Sequence, residues 1–532
     1  MKKVIVIGSG LAAVGAVKGL LQKGIRPLVF DIGQSPPTAV MMGMSRLAER
    51  APEFWSRVER AEVSANAGVP GRVVPRKLVF GSDYFYSKGE ADLEGFGDFV
   101  SGSPPWSPAL GGFSVGWGAA VLPPAPSDLK SWPFGHDELM NSIHAVVRGL
   151  PCSEPIDDLT RVFGRISAGE REVIALTSGQ ERLLERLRSA ALRQPPAVRA
   201  VAGQSRLLTE ASPQKGTACR RCGFCSSGCV YGSIYTARHD FEHWIAADVV
   251  DYRRVREVFR VTETNEEASV EYTTTDGLHQ RELCEQVFLA AGAVNSTRIL
   301  MNSAPAELGE VSIRRTGGVL QIYSSLRGED MAWPTVNTQT SHFVDLLDES
   351  TSPFWSHAQV GLPNELILRR LGVDPVSPHS FRSRFVRRAA GHLISVALNA
   401  HSSHGPQYVI RIDRSDHGLA PIWTRQTWSD SARFTVMKLE KRMRDLMRSA
   451  GYLALPFLRQ DSAAAQGYHF GASFPMSSEP HAPTDTDDVG RPFGWKRVHL
   501  VDTASLPAIP ATTVGLLTMA HAYRISSHSP NS

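Results

Sequence analysis

The chain has 532 residues, of which 42% are hydrophobic and 21% charged. That length buries a large core in two or more lobes and excludes a small adaptor, while the composition excludes a disordered or collagen-like chain. The 57 basic against 53 acidic residues leave a formal charge of +4, too little to argue for a nucleic-acid partner. No uninterrupted apolar run reaches the ~18 residues of a membrane span, so no transmembrane segment is expected.

The first element is KVIVI, residues 3 to 7, a β-branched apolar run that stops at glycine as a buried parallel strand does. Lys2-Lys3 before this run imitates a secretory signal, but the glycines that follow fall at nucleotide-binding positions, and we expect no export signal. Leu11 to Gln22 has helical spacing up to Gly24, and PLVFD resumes a strand, giving a βαβ start. Residues 34 to 135 are rich in Gly, Pro and Ser and read as long loops, with helix near Met44 to Arg60 interrupted at Pro52. Helices are expected from Asp137 to Leu150 and from Glu170 to Leu192. Short alternating segments from residue 249 onward, broken at Asn265 and Asp276-Gly277, form an antiparallel meander that returns to a buried strand, Gln286 to Ala291. QYVIRI is a strand and Ser431 to Ser449 a charged helix. A turn over Asp485 to Arg491, a strand VHLVD and a last helix from about Thr513 close the chain. The basic stretch Arg382 to Arg388 reads as a solvated helix face.

The opening strand, loop and helix carry a dinucleotide fingerprint. Gly8 permits the tight turn, Gly10 lets the backbone approach a pyrophosphate, and the small Ala13 allows close helix packing. Asp31, at the end of the second strand, is placed to accept hydrogen bonds from ribose hydroxyls, and Gly24 completes a pattern more typical of FAD proteins.

Further segments resemble the glucose-methanol-choline family of FAD-dependent oxidoreductases, in particular its bacterial alcohol or sugar dehydrogenase-like members. Gly111-Gly112-Phe113-Ser114 through Gly118 looks like the family's loop beside the flavin, followed by Trp132-Pro133 and Asp137-Glu138-Leu139. Leu289 to Leu300, containing Gly292, is similar to its strand-to-helix segment near the cofactor. Gly467 to Met476 resembles its catalytic histidine segment. Val501-Asp502-Thr503 through Pro507, continuing to Met519 to Ile525, resembles its C-terminal cofactor segment. Physically, oxidising an alcohol by hydride transfer needs a proton acceptor with a pKa near neutrality, which suits histidine. The resemblance makes His469 that base and implies a cofactor site holding Gly8, Gly10, Ala13, Asp31, Gly111, Gly112, Ser114, Gly292 and Asp502. One position departs from the family. Thr513 stands where the second catalytic residue is usually His or Asn, and threonine is not a useful base near neutral pH. His521, inside the last helix, reads as a packing residue.

Four of the six cysteines, Cys219, Cys222, Cys225 and Cys229, form a C-x2-C-x2-C-x3-C segment with Val230 after it. The spacing is that of a ferredoxin run, and an iron-sulfur cluster, zinc, or unliganded thiols all remain open, with Cys152 or Cys284 as a remote ligand. Such clustering, without an export signal, fits a reducing cytoplasm better than a disulfide framework.

The expected architecture is α/β: a Rossmann-like FAD-binding domain assembled discontinuously, plus an α+β substrate-binding domain with an antiparallel sheet. The FAD-binding parts are residues 1–150, 206–304 (with the cysteine segment and meander) and 463–532, with a helical connection over 151–205 and the substrate domain over 305–462. The expected partners are a small-molecule alcohol or sugar, or a biosynthetic intermediate, and an external electron acceptor. Two rivals stand: a non-redox FAD lyase or isomerase, kept open by Thr513, and a noncatalytic iron-sulfur electron carrier built on the cysteines.

Overall fold

The computed structural model describes residues 3–63, 77–91, 97–305, 308–325, 327, 337–362, 391–461 and 468–529. The basic stretch Arg382 to Arg388 and Gly467 lie outside them.

The apolar run at the start becomes strand β1 (Val4–Ile7), buried along its whole length. Helix α1 (Leu11–Gln22) and strand β2 (Leu28–Asp31) follow, and β2 pairs parallel to β1. The meander is strands β3 (Asp251–Glu263), β4 (Ala268–Thr274) and β5 (His279–Cys284). Its last turn leads into β6 (Gln286–Leu289), which pairs parallel to the other side of β1. Helix α2 (Ala293–Ser303) comes next, and near the end of the chain strand β7 (Val498–Leu500) pairs parallel to β6. The result is one seven-stranded sheet in the order β7-β6-β1-β2-β3-β4-β5. Its first strand, β3, pairs parallel to β2 and antiparallel to β4, so it joins the meander to the nucleotide-binding sheet.

The last helix, α3 (Val514–His528), lies against α1. Two glycines one turn apart on α1 make this possible. A Cβ on Gly15 would stand 1.9 Å from the Met519 carbonyl oxygen, and one on Gly19 2.0 Å from Ser526 Oγ. Both ends of the chain therefore share one apolar core, which includes Ala13, Val17 and Leu20 from α1 and Leu517, Met519 and Ile525 from α3. Each such large side chain contributes roughly 1.5–3 kcal/mol on burial.

The rest of the chain builds two antiparallel sheets. The six-stranded one runs in the order Tyr452–Asp461, Gly317–Ser325, Leu393–Ala400, Ser356–Gly361, His342–Asp348 and Val198–Gln204. Its edge strand Val198–Gln204 comes from the stretch expected to be a helical connection. Alternation gives this sheet two different faces. One carries Ala202, Val344, Leu346, Ala358, Val360, Val396 and Leu398 and packs on the helices Ser178–Leu192 and Asp430–Ser449. The other carries Phe343, Asp345, His357 and Gln359, as the strand registers require. The third sheet has five short strands, including Val311–Arg315, Gln407–Ile412 and Phe470–Gly471. The architecture is thus the expected α/β one, with a discontinuous Rossmann-like parallel sheet and separate antiparallel sheets.

The helix expected from Glu170 starts only at Ser178. Thr177 and Gln180 form a reciprocal capping box there, the Thr177 hydroxyl accepting from Gln180 N and the Gln180 side chain from Thr177 N. The stretch around Pro52 resolves into helix Thr38–Ala48, a short turn Pro52–Phe54 and helix Arg57–Val63.

Candidate active site

A cavity of about 490 Å³ lies at the carboxyl ends of β1, β2 and β6, between the parallel sheet and the six-stranded sheet. Of the residues picked out from the sequence, Gly8, Gly10, Asp31, Gly112, Ser114, Gly292, Asp502, His469 and Thr513 all line it. Segments separated by hundreds of residues converge on one space.

Backbone builds its floor. Gly8 has φ +109 and its N–H donates to the Phe30 carbonyl at 2.7 Å, closing the turn. A Cβ on Gly10 would meet no protein atom within 4 Å, although the residue lines the cavity; the space it keeps clear belongs to the cavity. Gly10, Gly292 and Thr513 are the N-caps of α1, α2 and α3, and none of these helices has a side-chain cap. Three sets of helix N-terminal N–H groups thus open on one cavity, an arrangement that favours an anion such as a pyrophosphate.

Two carboxyls, one half-buried and one fully buried, brace the floor. Asp31 accepts from Ser9 Oγ at 2.6 Å and from Tyr252 OH at 2.9 Å. Ser9 Oγ in turn accepts from Gly111 N–H at 3.0 Å, so the fingerprint loop and the Gly111 loop are tied through one hydroxyl. Asp502 accepts from Ser296 Oγ and from Ala504 N–H at 2.9 Å. Burial pushes both carboxyls up, each to about 6, against the hydrogen bonds that pull them down. Gly111 has φ +95, and Ser114 Oγ donates to its carbonyl at 2.6 Å while accepting from Ala237 N–H at 2.9 Å. Ser114 therefore holds the loop in shape. Ala13 is buried in the core and does not line the cavity, and the close helix approach falls instead at Gly15 and Gly19.

His469 sits where the third sheet meets the six-stranded one. Its carbonyl accepts from Thr316 N–H at 3.1 Å, one residue before strand Gly317–Ser325 begins. The imidazole is partly accessible from the cavity and makes no hydrogen bond among the described residues. Burial pulls its pKa down to about 4, with His357 adding to the effect, so the ring is neutral and able to accept a proton at neutral pH. Beside it stands a group of aromatic rings the sequence did not single out. Phe113 and Tyr468 have centroids 4.6 Å apart, Phe85 and Tyr86 4.2 Å, and all four line the cavity.

Thr513 also lines the cavity, yet its hydroxyl is engaged. Thr513 Oγ1 accepts from Leu122 N–H at 2.7 Å, and the Leu122 carbonyl lies 3.5 Å away for its proton. His521 is fully buried in α3, with Nε2 2.9 Å from Ser505 Oγ.

The residues fit a flavin dinucleotide. Besides the glycine cradle and the helix N-termini, two buried polar atoms of cavity-lining residues, Asn295 Oδ1 and Thr518 Oγ1, have no hydrogen-bond partner among the described residues. A ligand with donors and acceptors along its length would satisfy them.

The cysteine segment does not gather as a metal site. Among the described residues no group of three or more His, Cys, Asp or Glu side chains could hold a metal ion, and the expected convergence of four thiolates is not supported. Asn337 Nδ2 donates to Cys219 Sγ at 3.4 Å, Cys222 and Cys229 both pack against the cluster of Trp55, Phe224 and Tyr231, and Cys225 and Cys229 line a second cavity of about 350 Å³. Burial pushes the Cys219 and Cys222 thiols up, which favours the protonated form. Cys152 and Cys284 are buried in two separate apolar cores.

No family model and no curated protein matches the sequence. Among solved structures, the chain is similar to pyridoxine 4-oxidase from Mesorbium loti, with a TM-score of 0.60 and 15% identity over 99% of this chain and 98% of that one. At that identity the likeness concerns the fold, and it runs from end to end. Among the described residues no helix is long and apolar enough to cross a membrane.

Proposed function

We propose that the protein is an FAD-dependent oxidoreductase of the glucose-methanol-choline type, oxidising a CH–OH group of a small molecule with His469 as the base. The observation that carries this is the convergence of the dinucleotide fingerprint and the His469 segment on one cavity. The end-to-end likeness to a protein whose name is pyridoxine 4-oxidase supports it. Gly8, Gly10, Asp31, Gly112, Gly292 and Asp502 would hold the cofactor, with Gly111 and Ser114 shaping the loop beside it and Ala13 supporting the helix beneath. FAD supplies the two-electron acceptor for the hydride of the carbinol carbon. His469 takes the hydroxyl proton, and the carbon–oxygen single bond becomes a carbonyl.

The aromatic rings at Phe85, Tyr86, Phe113 and Tyr468 support an alcohol carried on a flat ring. Without a cluster geometry, the argument for an iron-sulfur relay to an external acceptor loses its basis. All six cysteines are free thiols, which suits a reducing compartment such as the cytoplasm.

The test is anaerobic mixing of the FAD-loaded protein with pyridoxine, benzyl alcohol and D-glucose. Bleaching of the oxidised flavin band by at least one of them, and its loss by about 10²–10⁴-fold in His469→Ala, is the expected result. Purified protein without flavin, or undiminished bleaching in His469→Ala, overturns the reading. Turnover with an unchanged spectrum would support the lyase or isomerase reading that Thr513 keeps open.

A further inference from the structure

The reacting oxygen needs a second polar group besides the base, and Thr513 is poorly placed to be it. Its hydroxyl accepts the Leu122 N–H and faces the Leu122 carbonyl, which fixes the strip Gly118–Leu122 along the cavity. Another side chain meets the requirement from the opposite wall.

In the strand Ser356–Gly361 every residue is buried except Gln359, which reaches accessible surface and lines the same cavity as His469 and Gly118. Its cross-strand neighbours are Phe343 and Ala397, neither of which offers a polar atom in the side chain. Among the described residues the carboxamide makes no hydrogen bond. The strand is held firmly on both sides by antiparallel pairing, so the amide projects from a rigid element. The same end of the cavity is marked by two further bonds. Gln339 Nε2 donates to Gly118 O at 2.6 Å, and the next residue, Thr340, donates through Oγ1 to Val360 O at 3.1 Å. Gly118 and the residue following Gln359 are thus tied to consecutive residues.

We propose that Gln359 binds the substrate oxygen, donating from Nε2 to the alcohol as it loses its proton to His469. This rests on the oxidoreductase reading above. As the O–H proton leaves, charge builds on the oxygen, and a fixed neutral donor stabilises that charge without competing for the proton. A glutamate in its place would oppose it. The amide supplies from the antiparallel sheet the hydrogen bond that the position of Thr513 does not.

The test uses the FAD-loaded full chain with benzyl alcohol as electron donor and benzaldehyde as a non-reducing probe whose oxygen takes the same place. Gln359→Leu is expected to slow flavin bleaching by 10- to 100-fold and weaken benzaldehyde binding, read from the shift of the flavin spectrum, by about 10-fold. Gln359→Glu is expected to lose more than Gln359→Leu, and Gln359→Asn less. Flavin content and thermal midpoint serve as the folding control, and Gln359→Asn remains informative if the leucine variant fails to load FAD. A Gln359→Leu protein that binds benzaldehyde as the wild type does overturns the proposal, as does a larger loss in Thr513→Val than in Gln359→Leu. Failure of the underlying reading is seen separately, in His469→Ala and in the wild type with every alcohol, while the benzaldehyde arm still decides the role of Gln359.

Discussion

The floor and the roof of the cavity are built by opposite rules. The floor is backbone: glycines at 8, 10 and 292, three uncapped helix N-termini, and two carboxyls braced by hydroxyls. The roof is side chains: Gln359 from a strand, His469 and Tyr468 from the segment just before strand Phe470–Gly471, Phe113 from the short turn Gly112–Gly116, and Phe85 and Tyr86 from a loop. A backbone site tolerates little variation in the residue, because any Cβ occupies ligand space or protein space. A side-chain site tolerates variation in its scaffold so long as one atom arrives. The first rule suits a cofactor that never changes, and the second suits a substrate that does.

Substitutions on the two sides should therefore fail differently. Gly15→Val forces a side chain into the Met519 carbonyl beneath the floor, and the chain should lose about 3 kcal/mol or more, read from chemical denaturation. Gly10→Ala adds a Cβ that meets no protein atom within 4 Å, so the apoprotein should melt within about 1 kcal/mol of the wild type. Its FAD content, from the ratio of flavin to protein absorbance, should fall at least ~10-fold because the side chain enters ligand space. If both variants lose fold and flavin together, the distinction between cavity space and protein space is wrong.

The pH dependences sharpen the contrast. His469 has its pKa lowered to about 4 by burial, so the proposed base is neutral above that value and lost by protonation below it. Flavin bleaching after a rapid pH jump should be flat from roughly pH 5 to 8 and fall about tenfold per unit below about 4; a limb near 6.5 would place the ring in water-like surroundings. Asp31 runs the other way. Its pKa is raised to about 6 in the free protein, and a ribose hydroxyl favours the charged form. FAD affinity should weaken as pH falls below about 6, by up to roughly tenfold per unit, and Asp31→Asn should flatten that slope. The smallest effect belongs to Thr513→Val. It leaves the Leu122 N–H without its acceptor and should cost about 1–3 kcal/mol of stability, with flavin bleaching changed less than about 5-fold.

The same contrast explains what the sequence disclosed. Gly8, Gly10 and Asp31 could be found because each answers a requirement of the backbone at its own position. The parallel strand pair, the meander and the last helix were legible from periodicity for the same local reason. Tyr252 was not, because it reaches Asp31 only through the parallel pairing of β3 with β2, a contact across 221 residues. Gln359 gave no signal at all: alternation tells that residues 357 and 359 share a face, but not that this face meets a cavity. The start of the helix at Ser178 was legible, since Thr177 and Gln180 spell a capping box, and the acidic residues before it drew the boundary too early. With the cysteines the spacing left a cluster, zinc and unliganded thiols open, because it says how far apart thiols lie along the chain and not how their sulfurs are aimed; among the described residues no metal-holding group is found.

The pairing of α1 with α3 also constrains how the protein is made. Gly15 and Gly19 have no surface to rest on until Met519 and Ser526 have left the ribosome. The α1 face that carries Gly15 and Gly19 is therefore made about 500 residues before the helix that covers it. A chain lacking residues 514–528 would leave that glycine face bare and the cavity without the wall that Thr513, Val514, Gly515 and Thr518 supply.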